Sequence, residues 1–395
     1  MKKIALIVLV ALVAGGLVFT GWWFAIRDDS TEMSEQPESG QSETEADDGL
    51  LRIVATGDMI AHDSINENAR QDDGSYDYLS LMSDMQPFFQ QADVRFCNQA
   101  TAAGGERLGI SGYPVFNAPF AFTQDMVKVG CNVVNLASNH INDKGKRQID
   151  ATVAEWERQD GVLAYAGANR SAEEQAQLRT FTVDGVSFGF LAYTTYSNNQ
   201  NLTPYGLNMY DSQTAQQEIS AARDEVDFVI VSMRWGTEYS TEINTEQNEI
   251  AQEVVNAGAD FVFGHGPHVL QPVKRIADTN GREGIVWFSL GNFLNSQIDI
   301  ETLIGGFAII DINQEELFVE NVEFMPVYQH YEWTAQQREE EDLLSRHNFS
   351  MVPLDQADEL LRQSTHDTTV EAQTQWVQQI LNRYIEVPVI GSDEY

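Results

Sequence analysis

The sequence predicts an α/β layered domain, on three observations. From Leu51 onward, short β-branched runs alternate with longer stretches of helical period. The apolar runs are nearly continuous, as strands buried on both faces require. Each run breaks into Gly, Asn, Asp or His, where a strand leaves the core. The runs are RIVATGD (52–58), DVRFCN (93–98), NVVNLASNH (132–140), DFVIVSMRWG (227–236), DFVFGHGPH (260–268) and IVWFSLGNF (285–293). Between them, 118–129, 145–159 and 246–257 have helical spacing, and 180–194 reads as a hairpin turning at Asp184-Gly185. Two sheets with flanking helices accommodate this order. After Tyr331 the composition shifts to Gln, Glu and Arg with scattered Leu, as in 339–344 and 357–361, which predicts a helical C-terminal appendage over 331–395.

The N-terminus is of another kind. Lys2 and Lys3 precede an almost wholly apolar run from Ile4 to Ile26, long enough to cross a hydrocarbon core of about 30 Å as a helix. Trp22 and Trp23 fall near its outer end, so residues 1–27 are expected to be a single-pass anchor in the cell membrane, with the bulk of the chain outside. A cleaved signal peptide is the rival reading, because Ala14, Gly15 and Gly16 are small, but the apolar stretch continues past them. Residues 28–50 are dominated by Ser, Glu, Asp, Gln and Thr and bury too little apolar surface to fold, so they read as a solvated acidic linker.

The chain carries a formal charge of -37. Nine of its 60 acids fall in the linker and three of its 23 bases in or beside the anchor, so about -31 belongs to the rest. Such a field repels polyanions, which argues against nucleic acid as a partner and sets a cost on an anionic polymer lying along the surface. Cys97 and Cys131 sit within apolar runs, where buried thiols are the default reading and a bond between neighbouring strands is the alternative.

Asp58, Asn98, Asn139, His140, His265 and His268 all lie where apolar runs end, so a layered fold gathers them at one rim. Any one of them alone is explained by a turn or by ordinary packing. Six at successive strand ends suit a divalent metal, whose oxygen and imidazole ligands must converge from several directions, with His140 able to donate a proton. His330, His347 and His366 lack that context and read as surface residues. No nucleophile elbow, P-loop or dinucleotide fingerprint is present. A paired-carboxylate glycosidase stays open, with Asp58 and Glu238 as its strand-end acids.

The segments GDMIAHDSI (57–65), FCNQATAAGG (96–105), SGYPVFNAP (111–119), NLASNHINDKG (135–145), RWGTEY (234–239), GHGPHVLQPV (264–273) and FSLGNF (288–293) resemble, in order and spacing, the CapA family. These are capsule-synthesis proteins associated with poly-γ-glutamate, within the calcineurin-like metallophosphatase superfamily. The resemblance runs from about Leu51 to about Val327, within a domain expected over 51–330. It implies a four-layer αββα sandwich and a dinuclear site of Mn, Fe or Zn, with Asp58, Asn98, Asn139, His265 and His268 as ligands and His140 as general acid. It also implies phosphoester hydrolysis as the superfamily's chemistry, and capsule synthesis or export proteins and an anionic polymer as partners. Two positions depart from the pattern: Arg234 stands where the family usually has His before Trp-Gly, and Ala100 where it usually has Glu. A guanidinium cannot ligate a metal, which puts the second ion in question. Arg234, with Glu238 in the same motif, becomes the expected substrate-binding group, able to grip a phosphate or carboxylate. His62, Asp63 and Glu238 are close enough in motif to belong to the site, and support of neighbouring site residues or turn bonding is the role expected of them. Two functions follow as expectations: a metal-dependent hydrolase of an anionic envelope substrate, or a non-catalytic accessory of capsule synthesis or export.

Overall fold

The computed structural model describes residues 49–395, so the expected anchor and almost all of the linker lie outside the described residues. Among the described residues no helix is long and apolar enough to cross a membrane. The strands are β1 (Leu50–Met59), β2 (Val94–Gln99), β3 (Val133–Asn135), β4 (Ala164–Ala166), β5 (Arg179–Val183), β6 (Val186–Thr194) and β7 (Phe228–Arg234). They continue with β8 (Phe261–His265), β9 (Leu270–Ala277), β10 (Glu283–Leu290), β11 (Asn292–Leu294), β12 (Ile304–Asn313), β13 (Phe318–Glu332) and β14 (His347–Pro353). One sheet has the order β14-β13-β12-β1-β2-β3-β4, with β11 also on β1, and the other β5-β6-β7-β8-β10-β9. The β1-β2-β3-β4 and β6-β7-β8-β10 segments are parallel, so their C-terminal ends share a side of each sheet.

Residue alternation decides how these sheets stack. Along β7, Phe228 and Ile230 join the core between the sheets, while Val229, Val231 and Met233 join a second core beneath helices Ser212–Arg223 and Thr245–Ala257. Ile285 and Trp287 against Val286 and Phe288 divide β10 in the same way. Between the sheets Phe96 meets Phe263 at 4.9 Å and Phe190 at 5.9 Å. On the first sheet's other side, helices Phe120–Val129 and Lys146–Glu157 converge on Gln99, whose Oε1 accepts from Trp156 Nε1 at 2.6 Å and Thr123 Oγ1 at 3.4 Å. The result is the αββα layering.

The three helices and the hairpin stand where periodicity and turn chemistry put them. Asp184 and Gly185 both have positive φ, the signature of the tight turn that joins β5 to β6. Three expectations change. The run 132–140 forms a strand only to Asn135, because the Asn135 side chain accepts the Ala137 N–H at 2.7 Å and turns the chain out of the ladder. The appendage holds helices Asp358–Gln363 and Val370–Leu381 but also β14, which pairs antiparallel with β13 and buries Phe349, Met351 and Pro353 on alternate positions. Finally, Cys97 and Cys131 are not free thiols but a disulfide, because the β2–β3 register brings their Cα atoms to 5.7 Å.

His330 is likewise not on the surface: it lies within β13, 2% exposed, with Nδ1 3.3 Å from the Tyr328 hydroxyl. His347 and His366 are partly exposed, and His347 lies 3.6 Å from Glu332.

One close approach holds β1 in place. A Cβ on Gly57 would lie 2.3 Å from the Gly291 carbonyl oxygen, so only glycine lets the chain between β10 and β11 come this near to β1. There Asp58 N–H donates to Gly291 O at 2.9 Å.

Two outcomes test this description. Cys97→Ala with Cys131→Ala opens a loop of 34 residues and is expected to cost about 3–4 kcal/mol of unfolding free energy, read by denaturant titration; an unchanged midpoint would exclude the bond. Burial lowers the pKa of His330 from 6.5, so the unfolded chain takes up protons first as the pH falls. Its contribution to stability is therefore full above pH 6.5 and shrinks below it, and His330→Gln is expected to flatten the fall in melting temperature between pH 7.5 and 5.

Candidate functional site

The site begins as a row of side chains across three parallel strands. Register sets Asp58 opposite Asn98 and Asn98 opposite Asn135. Asn135 Nδ2 donates to Asn98 Oδ1 at 2.7 Å, and Asn98 Nδ2 donates to Asp58 Oδ1 at 2.5 Å. This amide relay ends on a carboxylate that is 1% exposed.

The second sheet faces it with imidazoles. His265 ends β8 beside Arg234 at the end of β7, and His268 follows the Gly266-Pro267 turn with φ of 61°. His268 Nδ1 lies 2.8 Å from Asp58 Oδ2 and 3.1 Å from Asn292 Oδ1. His265 Nδ1 is 3.4 Å from Asp58 Oδ1, and its ring stacks on Phe96 at 5.5 Å. Burial by itself raises the pKa of the Asp58 carboxyl, but the close approach and charge of His265 and His268 outweigh it and hold Asp58 well below the usual carboxylate range.

Buried atoms are left over here. Asp58 Oδ2 and both ring nitrogens of His265 have no aligned hydrogen bond, although His268 Nδ1 is within ion-pair distance of that oxygen. An unsatisfied buried polar atom costs about 1–3 kcal/mol, and a cation here would engage Asp58 Oδ2 and one ring nitrogen of His265. Among the described residues no three His, Cys, Asp or Glu side chains surround a common point as they stand. Asp58, His265 and His268 turn their polar atoms on one another instead. By residue type, a carboxylate and two imidazoles suit one divalent ion, with Asn292 Oδ1 3.1 Å from His268 Nδ1.

A second ion does not fit. Arg234, 7% exposed, donates from Nε to Asn139 Oδ1 at 3.0 Å, so a fixed cation already holds that expected ligand oxygen. Asn98 Oδ1 is taken by Asn135, and Ala100 offers only a backbone carbonyl, itself accepting from Ser138 Oγ at 2.7 Å. Asn139 is fixed further by donating to Asn198 Oδ1 at 2.6 Å. Arg234 Nη2 reaches Glu238 Oε1 at 3.4 Å, and its guanidinium lies 5.9 Å over Tyr196. Burial lowers the Arg234 pKa, while Glu238 and Asp58 oppose that.

His140 stands at the mouth of the cleft. Its Nδ1 lies 2.8 Å from Asp143 Oδ2, which also accepts the Phe116 N–H at 2.8 Å, and its ring meets Phe116 edge-on at 4.6 Å. Asp58, His140, Arg234, Glu238, His268 and Tyr239 line one cleft. His62 lines it too, but its Nδ1 accepts the Ser296 N–H at 3.2 Å, and Asp63 accepts the Gly112 N–H at 2.7 Å, long-range bonds to other loops and not local turn bonds. Burial first, then the charges of His268, Arg346 and His140, push His62 down to about 3.

Sequence reasoning missed Asp143, Asn135, Asn198 and Asn292. Asp143 carried a signal, standing three residues after His140 in a loop, and Asn292 stood inside the quoted FSLGNF. Asn198 lies in a polar run, SNNQN, with nothing to mark it.

The sequence is 32% identical over 169 residues to the PGA biosynthesis protein CapA of Bacillus subtilis, covering 42% of this chain and 43% of that protein. It is 32% identical over 178 residues to the capsule biosynthesis protein CapA of Bacillus anthracis, covering 43% of this chain and 41% of that one. Each match thus spans less than half the length of the curated relative. Among solved structures, a 5'-nucleotidase from Candida albicans superposes with a TM-score of 0.41 at 12% identity, covering 70% of this chain and 51% of that one. The model of the bacterial capsule synthesis protein PGA_cap matches residues 52–297, more than half of the chain and every strand end that builds the cleft. The chain belongs to the bacterial capsule synthesis protein family PGA_cap.

Proposed function

We propose that this protein acts in the biosynthesis or export of a capsular polymer of the poly-γ-glutamate type, held outside the cell membrane by its apolar N-terminal segment, and that its cleft hydrolyses an anionic envelope substrate. The observation that carries the catalytic part is His140: an imidazole clamped by a buried carboxylate opens onto the same cleft as Asp58, His268 and Arg234.

Each side chain has a task in this reading. With Nδ1 held by Asp143, the imidazolium form of His140 presents Nε2–H to the leaving oxygen and becomes the neutral ring when that proton is given up. Arg234 uses two of its five N–H donors on Asn139 and Glu238, and the others are available to an anionic oxygen of the substrate. Asp58, His265 and His268 would hold one ion of Mn, Fe or Zn, which when bound supplies Lewis acidity. Asn98 and Asn135 set the Asp58 carboxylate.

The other reading, a non-catalytic accessory of the synthesis or export complex, is favoured by Arg234 occupying the second metal position. Complementation separates the two. In cells lacking the gene, His140→Ala or Asp143→Asn at normal protein level is expected to abolish most polymer secretion, and undiminished secretion would leave the accessory role standing alone. Metal analysis of the purified full chain is expected to find one equivalent bound at micromolar concentration, lost in His265→Ala. Two equivalents, or none, would contradict the single site.

A further inference from the structure

The cleft continues into a groove that the chemistry above does not use. The groove shares His62, Tyr113, Tyr239 and Gln297 with the cleft and runs past Ile298 to Leu343 and Leu344. Among the described residues ten large hydrophobic side chains are exposed, and five of them line this groove: Tyr113, Tyr239, Ile298, Leu343 and Leu344. Exposed apolar side chains scattered singly need no explanation, but half of them gathered along one groove beside a polar cleft mark a binding surface.

The charge pattern says what kind of occupant fits. The whole chain carries -37, so a polyanion stretched along its surface meets repulsion nearly everywhere. The cleft and groove set bases beside acids: Asp58 and Glu238 line the cleft with Arg234, Asp63 and Asp299 line the groove with Arg346, and Arg234 keeps N–H donors that Asn139 and Glu238 do not use. Arg234 lies in the cleft, and in the groove Arg346 is held by the Ser296 and Leu343 carbonyls and stacked near Tyr331 and Trp333. Ser64 and Ser296, both buried, line the groove with hydroxyls that have no hydrogen-bond partner. One anionic head and an apolar chain match this sequence of surfaces: guanidinium in the cleft, then tyrosine faces, then aliphatic side chains.

We infer that the groove is a tail subsite, and that the substrate of the cleft is an amphiphile, an anionic ester whose hydrocarbon chain lies across Tyr239, Ile298, Leu343 and Leu344. The inference rests on the reading of the cleft as the substrate site. It places the discrimination between substrates in the C-terminal extension, which supplies Leu343, Leu344 and Arg346.

Two probes with the same head separate the two readings. Ethyl phosphate and octyl phosphate, the latter below its micellar concentration, are titrated calorimetrically into the full chain in lipid nanodiscs, with empty nanodiscs as the blank. Burial of even two of the additional methylenes is expected to make octyl phosphate bind about tenfold tighter. Leu343→Ser with Leu344→Ser, and separately Ile298→Ser, are expected to bring octyl phosphate toward the affinity of ethyl phosphate while leaving ethyl phosphate unchanged. All three side chains are exposed, so loss of the fold is not the expected result. Equal binding of the two probes would overturn the tail subsite and leave the cleft reading intact. A preference for octyl phosphate that survives both variants would also overturn it. Binding of neither probe would remove the cleft reading and the inference together.

Discussion

A carboxylate with almost no water around it governs this structure. Moving an isolated ionised group into a protein interior costs several kcal/mol even after relaxation, so Asp58 demands positive partners and hydrogen-bond donors from every side. The first sheet supplies the Asn98 amide and the second supplies His265 and His268. The backbone supplies the Gly57 approach that sets β1 against the β10–β11 crossing. Each of these lies at a strand end, so satisfying one buried charge aligns the ends of two sheets. The cleft exists because the charge is there.

That dependence explains what the sequence could and could not disclose. Strand ends were legible, since a buried parallel strand reads as an apolar run that stops abruptly, and Asp58, His265 and His268 stand at those stops. Asn139 was legible as a site residue but not as the partner of Arg234, because their contact joins residues 95 apart in sequence across two sheets. The strand β14 was hidden by its surroundings: HNFSMVP alternates clearly, yet it sits among Gln- and Glu-rich helical stretches that set the expectation. His330 looked superficial for the same reason, although PVYQHY continues the apolar alternation of β13.

Electrostatics divides the molecule unevenly. A large negative charge is spread over the surface, while Arg234 and Arg346, the two arginines of the cleft and groove, are each less than a tenth exposed. Guanidinium groups enclosed in this way are shielded from salt and from the acidic field outside, so they act at contact range and not by steering.

The bond between Cys97 and Cys131 lies one residue before Asn98, the amide that touches Asp58, and joins β2 to the residue two before β3. The seam that carries the amide relay is therefore closed by an electron-transfer event and not by packing alone. Disulfides of this kind persist where oxidants prevail and are reduced where thiols prevail. For this chain, the thiol balance of its surroundings decides whether the covalent link beside the amide relay is present.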